Sequence, residues 1–278
     1  MVEASPFNRL HQKNIEFQGL KFNAYEGGNG RPLLLVHGSG PGASSIGNWR
    51  LVLDELAEHY HVLAIDLIGF GESDRKPEPP YFDFNLWVEQ SRAALDYLGD
   101  DNIGIIGHSL AGAIVLKLAA TDDRVGAVLT TGAMGAPMKV NEALVDHVWT
   151  CPRSRKQMQV AAGSLVYDKS LITDSYLDFR MQVIGTKEYQ DYFDTMFDGS
   201  YERFIEAATL DEETLAAVEV PVMMLHGRND LPIPAETGSV ALFPKLPQAD
   251  LLLLYGCGHS IAMERKKTFL AAIKGHFV

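Results

Sequence analysis

Short apolar runs that do not alternate with polar residues narrow most sharply how this chain can fold. They fall at 33–36, 61–65, 103–106, 125–129, 220–225 and 250–254, each bounded by Gly, Pro or Asp. A strand with one wet face alternates, because successive side chains point to opposite sides. A continuous run instead suits a strand covered on both faces of a mainly parallel sheet. Between the runs, 49–60, 85–98 and 113–120 read as helices, the first two with apolar residues spaced by three and four. Residues 15–17 and 20–25, around Gly19, read as a hairpin. The alternation predicts an α/β fold: a mainly parallel sheet of about eight strands flanked by helices.

That rhythm stops between 134 and 214, a Met-, Tyr- and Phe-rich stretch with several amphipathic helical patterns and no sheet-type run. The expected organisation is therefore a core at 1–133, a helical cap at 134–214 and the rest of the core at 215–278. The cap would lie over the C-terminal edge of the sheet, where open α/β folds bind ligands. Any single aromatic there could equally belong to the cap's own core.

Charge and cysteine usage exclude several classes. Against 36 acidic residues stand 24 Lys and Arg, a formal charge of −12, which argues against a general nucleic-acid or anionic-membrane partner. Two cysteines, Cys151 and Cys257, are too few for a disulfide framework and fit a reducing cytoplasm. The stretch MVEASPFNRLHQK has no apolar signal-peptide region, and no apolar run approaches the roughly 20 residues of a membrane span. These features predict a cytoplasmic protein with a small-molecule partner, a homodimer or higher homo-oligomer being left open.

The chemistry centres on GHSLAG, residues 107–112, between a strand run and a helix. A nucleophile elbow spells G-x-S-x-G, because the tight turn tolerates only small side chains two positions either side of the serine. Gly107 meets this, and Ala111 departs from it by one methyl group, with Gly112 beside it. The competing reading is that Ser109 merely caps the helix. A hydroxyl needs a base within reach and an acid to orient that base. Of nine histidines, His259 stands out, in Gly256-Cys257-Gly258-His259 after the last strand. His37 and His226 end strands and read as turn-shaping, His59 and His61 as structural, and His11, His147 and His276 have no motif context. Asp230, in HGRND, follows the preceding strand, whereas Asp66 reads as holding a turn. The order Ser109, Asp230, His259 is that of an α/β-hydrolase triad. Oxyanion donors are then expected from the Leu110 N–H and, in the glycine-rich loop His37-Gly38-Ser39-Gly40, from the Ser39 N–H. That loop lacks the Gly-Lys-Ser/Thr ending of a phosphate-binding loop. No cluster has metal-ligand spacing, so no metal and no cofactor are expected.

On LLLVHGSGPGAS, Asn48-Trp49-Arg50, AIDLIGFGESD, HGRND and CGH, the whole chain resembles the α/β-hydrolases and, more narrowly, the meta-cleavage product hydrolases. Those enzymes cleave a carbon–carbon bond in 2-hydroxy-6-oxo-hexa-2,4-dienoates during bacterial degradation of aromatic compounds. The resemblance implies that Arg180, in YLDFRM, faces the substrate carboxylate and that Asn48 lies near the dienoate end. Gly40, His108 and Ser260 fall among the substrate-binding positions. A surface salt bridge is the alternative for Arg180. Three positions depart from the pattern: His108 stands where the family usually has Asn, Ser260 where it has Trp, and Ala111 where it has Gly. His108 and Ser260 suit a carboxylesterase, lactonase or amidase. A ligand-binding receptor and cofactor-independent oxygen chemistry are also known on this scaffold.

Overall fold

In chain order the strands are β1 (Leu10–Phe17), β2 (Leu20–Gly27), β3 (Arg31–Val36), β4 (Tyr60–Ile65), β5 (Ile103–His108), β6 (Val125–Thr131), β7 (Val222–Gly227) and β8 (Ala249–Leu254). The structure is a computed structural model that describes residues 7–278, so the first six residues of MVEASPFNRLHQK lie outside it. The eight strands form one sheet in the order β1-β2-β4-β3-β5-β6-β7-β8. β1 and β2 are an antiparallel hairpin, and β2 runs antiparallel to β4. The hairpin turns at Gln18 and Gly19, both at positive φ (51° and 78°), the sense that matches strand twist. All pairings from β4 through β3, β5, β6 and β7 to β8 are parallel.

Residues of one strand feed two cores. Leu34, Val36, Leu63, Ile65 and Ile105 face one side; Leu33, Leu35, Val62, Ala64 and Ile106 face the other. This two-sided burial explains the continuous apolar runs. β8 departs from it: as the edge strand it leaves Leu252 and Leu253 43% and 41% exposed, because no further layer covers them. The register aligns the C-terminal ends of the central strands, with Val36 beside Gly107, His108 beside Thr131 and Thr131 beside Leu225. Loops leaving these ends must converge.

The helices before β6 are α1 (Ser45–Trp49), α2 (Leu53–Leu56), α3 (Phe84–Leu98) and α4 (Leu110–Ala119). The predicted helix at 49–60 is thus corrected to the end of α1 and the short α2. Trp49, Val52, Leu53 and Leu56 are all buried, so the spacing marked the buried face correctly. It could not reveal that two turns, not one continuous ladder, present that face. The first begins earlier than expected because Ser44 Oγ accepts from Gly47 N at 3.0 Å, an N-cap.

Between β6 and β7 come α5 (Glu142–Val148), α6 (Arg155–Ser164), α7 (Asp174–Ile184), α8 (Lys187–Met196), α9 (Glu202–Ala208) and α10 (Glu212–Ala216), with no strand among the described residues. This excursion closes on itself where Leu210 N donates to Gly135 O at 2.9 Å. After β7 follow α11 (Ser239–Leu242), α12 (Ile261–Glu264) and α13 (Lys266–His276). Among the described residues no helix is long and apolar enough to cross a membrane.

Candidate active site

Ser109 sits at the corner between β5 and α4 with φ 58° and ψ −122°, a backbone conformation that L-residues rarely adopt. Its side chain makes no capping hydrogen bond to α4, so the helix-cap reading does not describe it. The corner itself is held by the backbone: Ser109 N donates to Thr131 O, and Ser109 O accepts from Gly112 N and Met134 N. Glycine is obligatory at 107, where a Cβ would stand 2.3 Å from Ala111 O. It is equally required at 112, where a Cβ would stand 2.5 Å from the Ala133 Cβ. Ala111 by contrast is buried in the apolar core, which accommodates its methyl group.

Asp230 and His259 meet from two different loops. His259 Nδ1 lies 2.6 Å from Asp230 Oδ2, while Asp230 Oδ1 accepts from Ile233 N at 2.9 Å. Both side chains are almost fully buried. Burial alone would push the Asp230 carboxyl up, but the adjacent His259 and hydrogen bonds from His226 and His259 outweigh it, bringing it down to about 2. Asp230 is therefore an anion that holds the imidazole by its Nδ1–H and leaves Nε2 as the basic atom. His226 braces the same loop. Its Nε2 lies 2.9 Å from Ile233 O, and only an N–H can satisfy a carbonyl, so its Nδ1 accepts from Ser239 Oγ at 2.7 Å.

His37 plays a comparable part in the loop after β3. Its Nδ1 donates to Gly38 O at 2.6 Å and its Nε2 accepts from Leu67 N at 3.0 Å. Asp66 spends both oxygens on Ser45 N, Ser45 Oγ, Asn23 Nδ2 and Glu72 N, so it holds turns, while the carboxylate on the His259 imidazole is that of Asp230. Among the described residues the Ser39 and Leu110 amides are taken up by no backbone acceptor; Leu110 opens α4 and has none within the helix.

One cavity joins these parts. Its wall includes Ser39, Gly40, Asn48, His108, Ser109, Arg180, His259 and Ser260, all singled out in the sequence. Asp230 and Leu110 stand behind it. The excursion between β6 and β7 contributes His147, Val148, Met158, Leu165, Tyr176 and Arg180. The Arg180 guanidinium donates to Pro41 O, while its buried Nε has no partner among the described residues. Among the described residues it forms no salt bridge, and the acidic residues of its own helix, Asp174 and Asp178, pair with Arg155 instead. His108 donates from Nδ1 to Thr131 O at 3.1 Å or Oγ1 at 3.0 Å. Burial, and then the neighbouring His259, keep it well below the usual histidine range, hence neutral.

Sequence reasoning missed several contributors. His147, set aside for want of a motif, lines the cavity, as does Trp49, which stacks on Phe269 with centroids 5.8 Å apart. Gly38 and Gly132 matter through space. A Cβ on Gly38 would lie 2.9 Å from the Ser109 Cβ, and one on Gly132 would intrude on His259 and Asp230. The Gly38 signal, a glycine-rich loop after a strand, was visible; for Gly132 there was none. Cys151 and Cys257 are free and buried, their thiols pushed up to about 12 chiefly by burial, so neither competes as a nucleophile.

Residues 31–266 match the alpha/beta hydrolase fold family. The chain is 31% identical over 256 residues to a 2-hydroxy-6-oxo-2,4-heptadienoate hydrolase of Pseudomonas putida strain F1, covering 92% of each chain. It is 31% identical over 267 residues to a 2-hydroxymuconate semialdehyde hydrolase of Pseudomonas sp. strain CF600, covering 96% of this chain and 93% of that one. Among solved structures, a meta-cleavage product hydrolase from Pseudomonas fluorescens IP01 superposes with a TM-score of 0.88 at 30% identity, covering 94% and 95% of the two chains. The 2-hydroxy-6-oxo-6-phenylhexa-2,4-dienoate hydrolase of Rhodococcus sp. strain RHA1 also gives 0.88, at 28% identity and 96% and 98% coverage.

Proposed function

The chain belongs to the α/β-hydrolase fold family and, within it, to the 2-hydroxy-6-oxo-dienoate hydrolases, and from that premise we propose that it hydrolyses the C–C bond of a meta-cleavage product. The observation that carries the reading is the single cavity with Ser109 and His259 in one wall and the under-partnered Arg180 in another. A guanidinium with unused donors suits a carboxylate, which the dienoate supplies.

In this reading Arg180 and Asn48 hold the carboxylate and 2-oxygen end, and Gly40, His108 and Ser260 complete the wall. The bound dienol ketonises, which turns the C1–C5 fragment into an electron sink. Ser109 then attacks the C6 carbonyl carbon as His259 Nε2 takes its proton, with Asp230 stabilising the imidazolium that forms. The Ser39 and Leu110 amides receive the oxyanion. When the C5–C6 bond breaks, its electron pair stays on C5 as an enolate, which takes the proton from the His259 imidazolium to give 2-hydroxypenta-2,4-dienoate. Water, activated by His259, releases the acyl group as a carboxylic acid. The chain itself supplies every group used, without a cofactor.

A reducing cytoplasm suits the two free thiols, and the open β8 edge with exposed Leu252 and Leu253 supports a homodimer. The decisive experiment is a substrate panel. Loss of the yellow dienolate absorbance with one acid released per dienoate is expected. Turnover of nitrophenyl esters with inert dienoates would move the assignment to an esterase, the reading that His108 and Ser260 favour.

A further inference from the structure

The loop that carries His259 is not held by its own β-strand alone. Backbone N–H groups of His259 and Ser260 both donate to Leu165 O, at 2.9 and 3.0 Å. Leu165 is the residue that ends α6, so the candidate base hangs from the excursion that forms the other side of the cavity. Glu264, at the end of α12, completes the attachment from below. Its Oε1 accepts from Gly258 N at 2.7 Å, with the Cys257 thiol 3.8 Å away. Its Oε2 accepts from Tyr167 N at 2.7 Å and Asp168 N at 3.2 Å. One carboxylate thus bridges the residue just before His259 and the turn just after Leu165. Close packing reinforces the strap, since a Cβ on Gly258 would lie 2.9 Å from Leu165 O.

We propose that Glu264 is a positioning residue that clamps the His259 loop to the 165–168 turn and so keeps the imidazole in register with Asp230 and Ser109. The proposal rests on the reading of His259 as the base. Its chemistry is specific to a carboxylate. Two oxygens accept from two sides of the joint, and each ionised acceptor shortens and strengthens bonds to backbone amides. Glutamine is the same size but offers one oxygen, and its NH2 turned toward backbone N–H groups leaves one side of the joint unaccepted. A displacement of the base by even about 1 Å is sufficient to cost roughly 10²-fold in rate. The 165–168 turn and the base therefore move as one unit.

Steady-state kinetics on the dienoate, for Glu264→Gln, His259→Ala and the double variant, test the clamp. Glu264→Gln should lower kcat by roughly ten- to a hundredfold with KM within about twofold. That factor should vanish in the His259→Ala background, because the clamp acts only through the imidazole. An unchanged kcat in Glu264→Gln would overturn the proposal, as would the same fractional loss with or without His259, which is the mark of a purely structural role. Unimpaired turnover by His259→Ala would overturn the parent reading instead, a separable result. Should Glu264→Gln not fold, amide exchange in the wild-type protein decides. Peptides spanning 165–168 and 257–260 should open as one cooperative unit. Independent opening of the two would overturn the clamp.

Discussion

A Cβ placed on Gly132 would lie 2.9 Å from Nδ1 of His259, so the imidazole occupies space that glycine alone leaves open. Gly132 begins the loop that leaves β6, at φ +54°, and donates its N–H to Leu225 O, which pins it in that conformation. The same Cβ would stand 3.2 Å from Asp230 Oδ2. Gly132→Ala should therefore push the imidazole off its carboxylate and lower kcat/KM by roughly ten- to a hundredfold. The left-handed backbone adds a stability loss of about 1–2 kcal/mol. Kinetics and urea denaturation of the variant measure both; wild-type kcat/KM in Gly132→Ala would show that the pair tolerates displacement.

Asp230 should also leave a signature in acid. Its folded-state carboxyl lies at about 2 against an ordinary 3.8. A depressed acid stabilises the fold above its unfolded pKa and loses that contribution as pH falls through the folded value. The window is therefore about pH 4 down to about pH 2, and the contribution is on the order of 2 kcal/mol. Asp230→Asn lacks this titration. The stability gap between wild type and Asp230→Asn, from urea denaturation at fixed pH, should be widest above about pH 4 and shrink toward pH 2. A gap constant across that window would mean the carboxylate is not held by the histidines.

What could be read from the chain divides along the range of the interactions involved. β3 to β7 were legible because two-sided burial writes itself into consecutive residues, and the Ser109 corner because its small neighbours are adjacent in sequence. The HGRND and CGH segments each end a strand, so their meeting followed from the parallel sheet. The length of α1 was not legible: Ser44 caps a helix that the buried spacing of Trp49 and Val52 placed later. Gly132 and His147 were not legible either. The demand on Gly132 comes from a side chain 127 positions away, and His147 reaches the cavity wall beside residues as distant in sequence as Ser39 and His259. Neither is recorded in local periodicity.

Ser109 and His259 should fail as a unit. Ser109→Ala removes one hydroxyl at a buried corner that makes no side-chain hydrogen bond to α4, so folding should be almost unaffected while turnover collapses. The double variant with His259→Ala should be little worse than either single one, since the nucleophile and its base contribute to the same step. Single and double kcat/KM values settle it. Multiplicative losses would indicate that the two residues serve different steps, and undiminished hydrolysis by Ser109→Ala would remove the serine from the mechanism.

Arg180 separates the substrate classes. Its guanidinium is half-buried at the cavity wall, tied to the Pro41 carbonyl, with a buried Nε that no described residue satisfies. A carboxylate brought there is desolvated, and only a charged, hydrogen-bonding partner offsets that cost; truncating such a partner typically costs a few kcal/mol. Arg180→Ala should then lower kcat/KM for an anionic dienoate by roughly two or more orders of magnitude, at 1.4 kcal/mol per tenfold. A neutral nitrophenyl ester presents no carboxylate and should lose less than about threefold. Arg180→Lys should recover only part of the dienoate activity, because an ammonium supplies the charge without the planar fork. Measured across wild type and both variants, a loss confined to the anionic substrate identifies Arg180 as its carboxylate contact. Equal losses on both substrates would reduce Arg180 to a brace for the Pro41 loop, and the esterase reading would then account for the cavity better than a dienoate does.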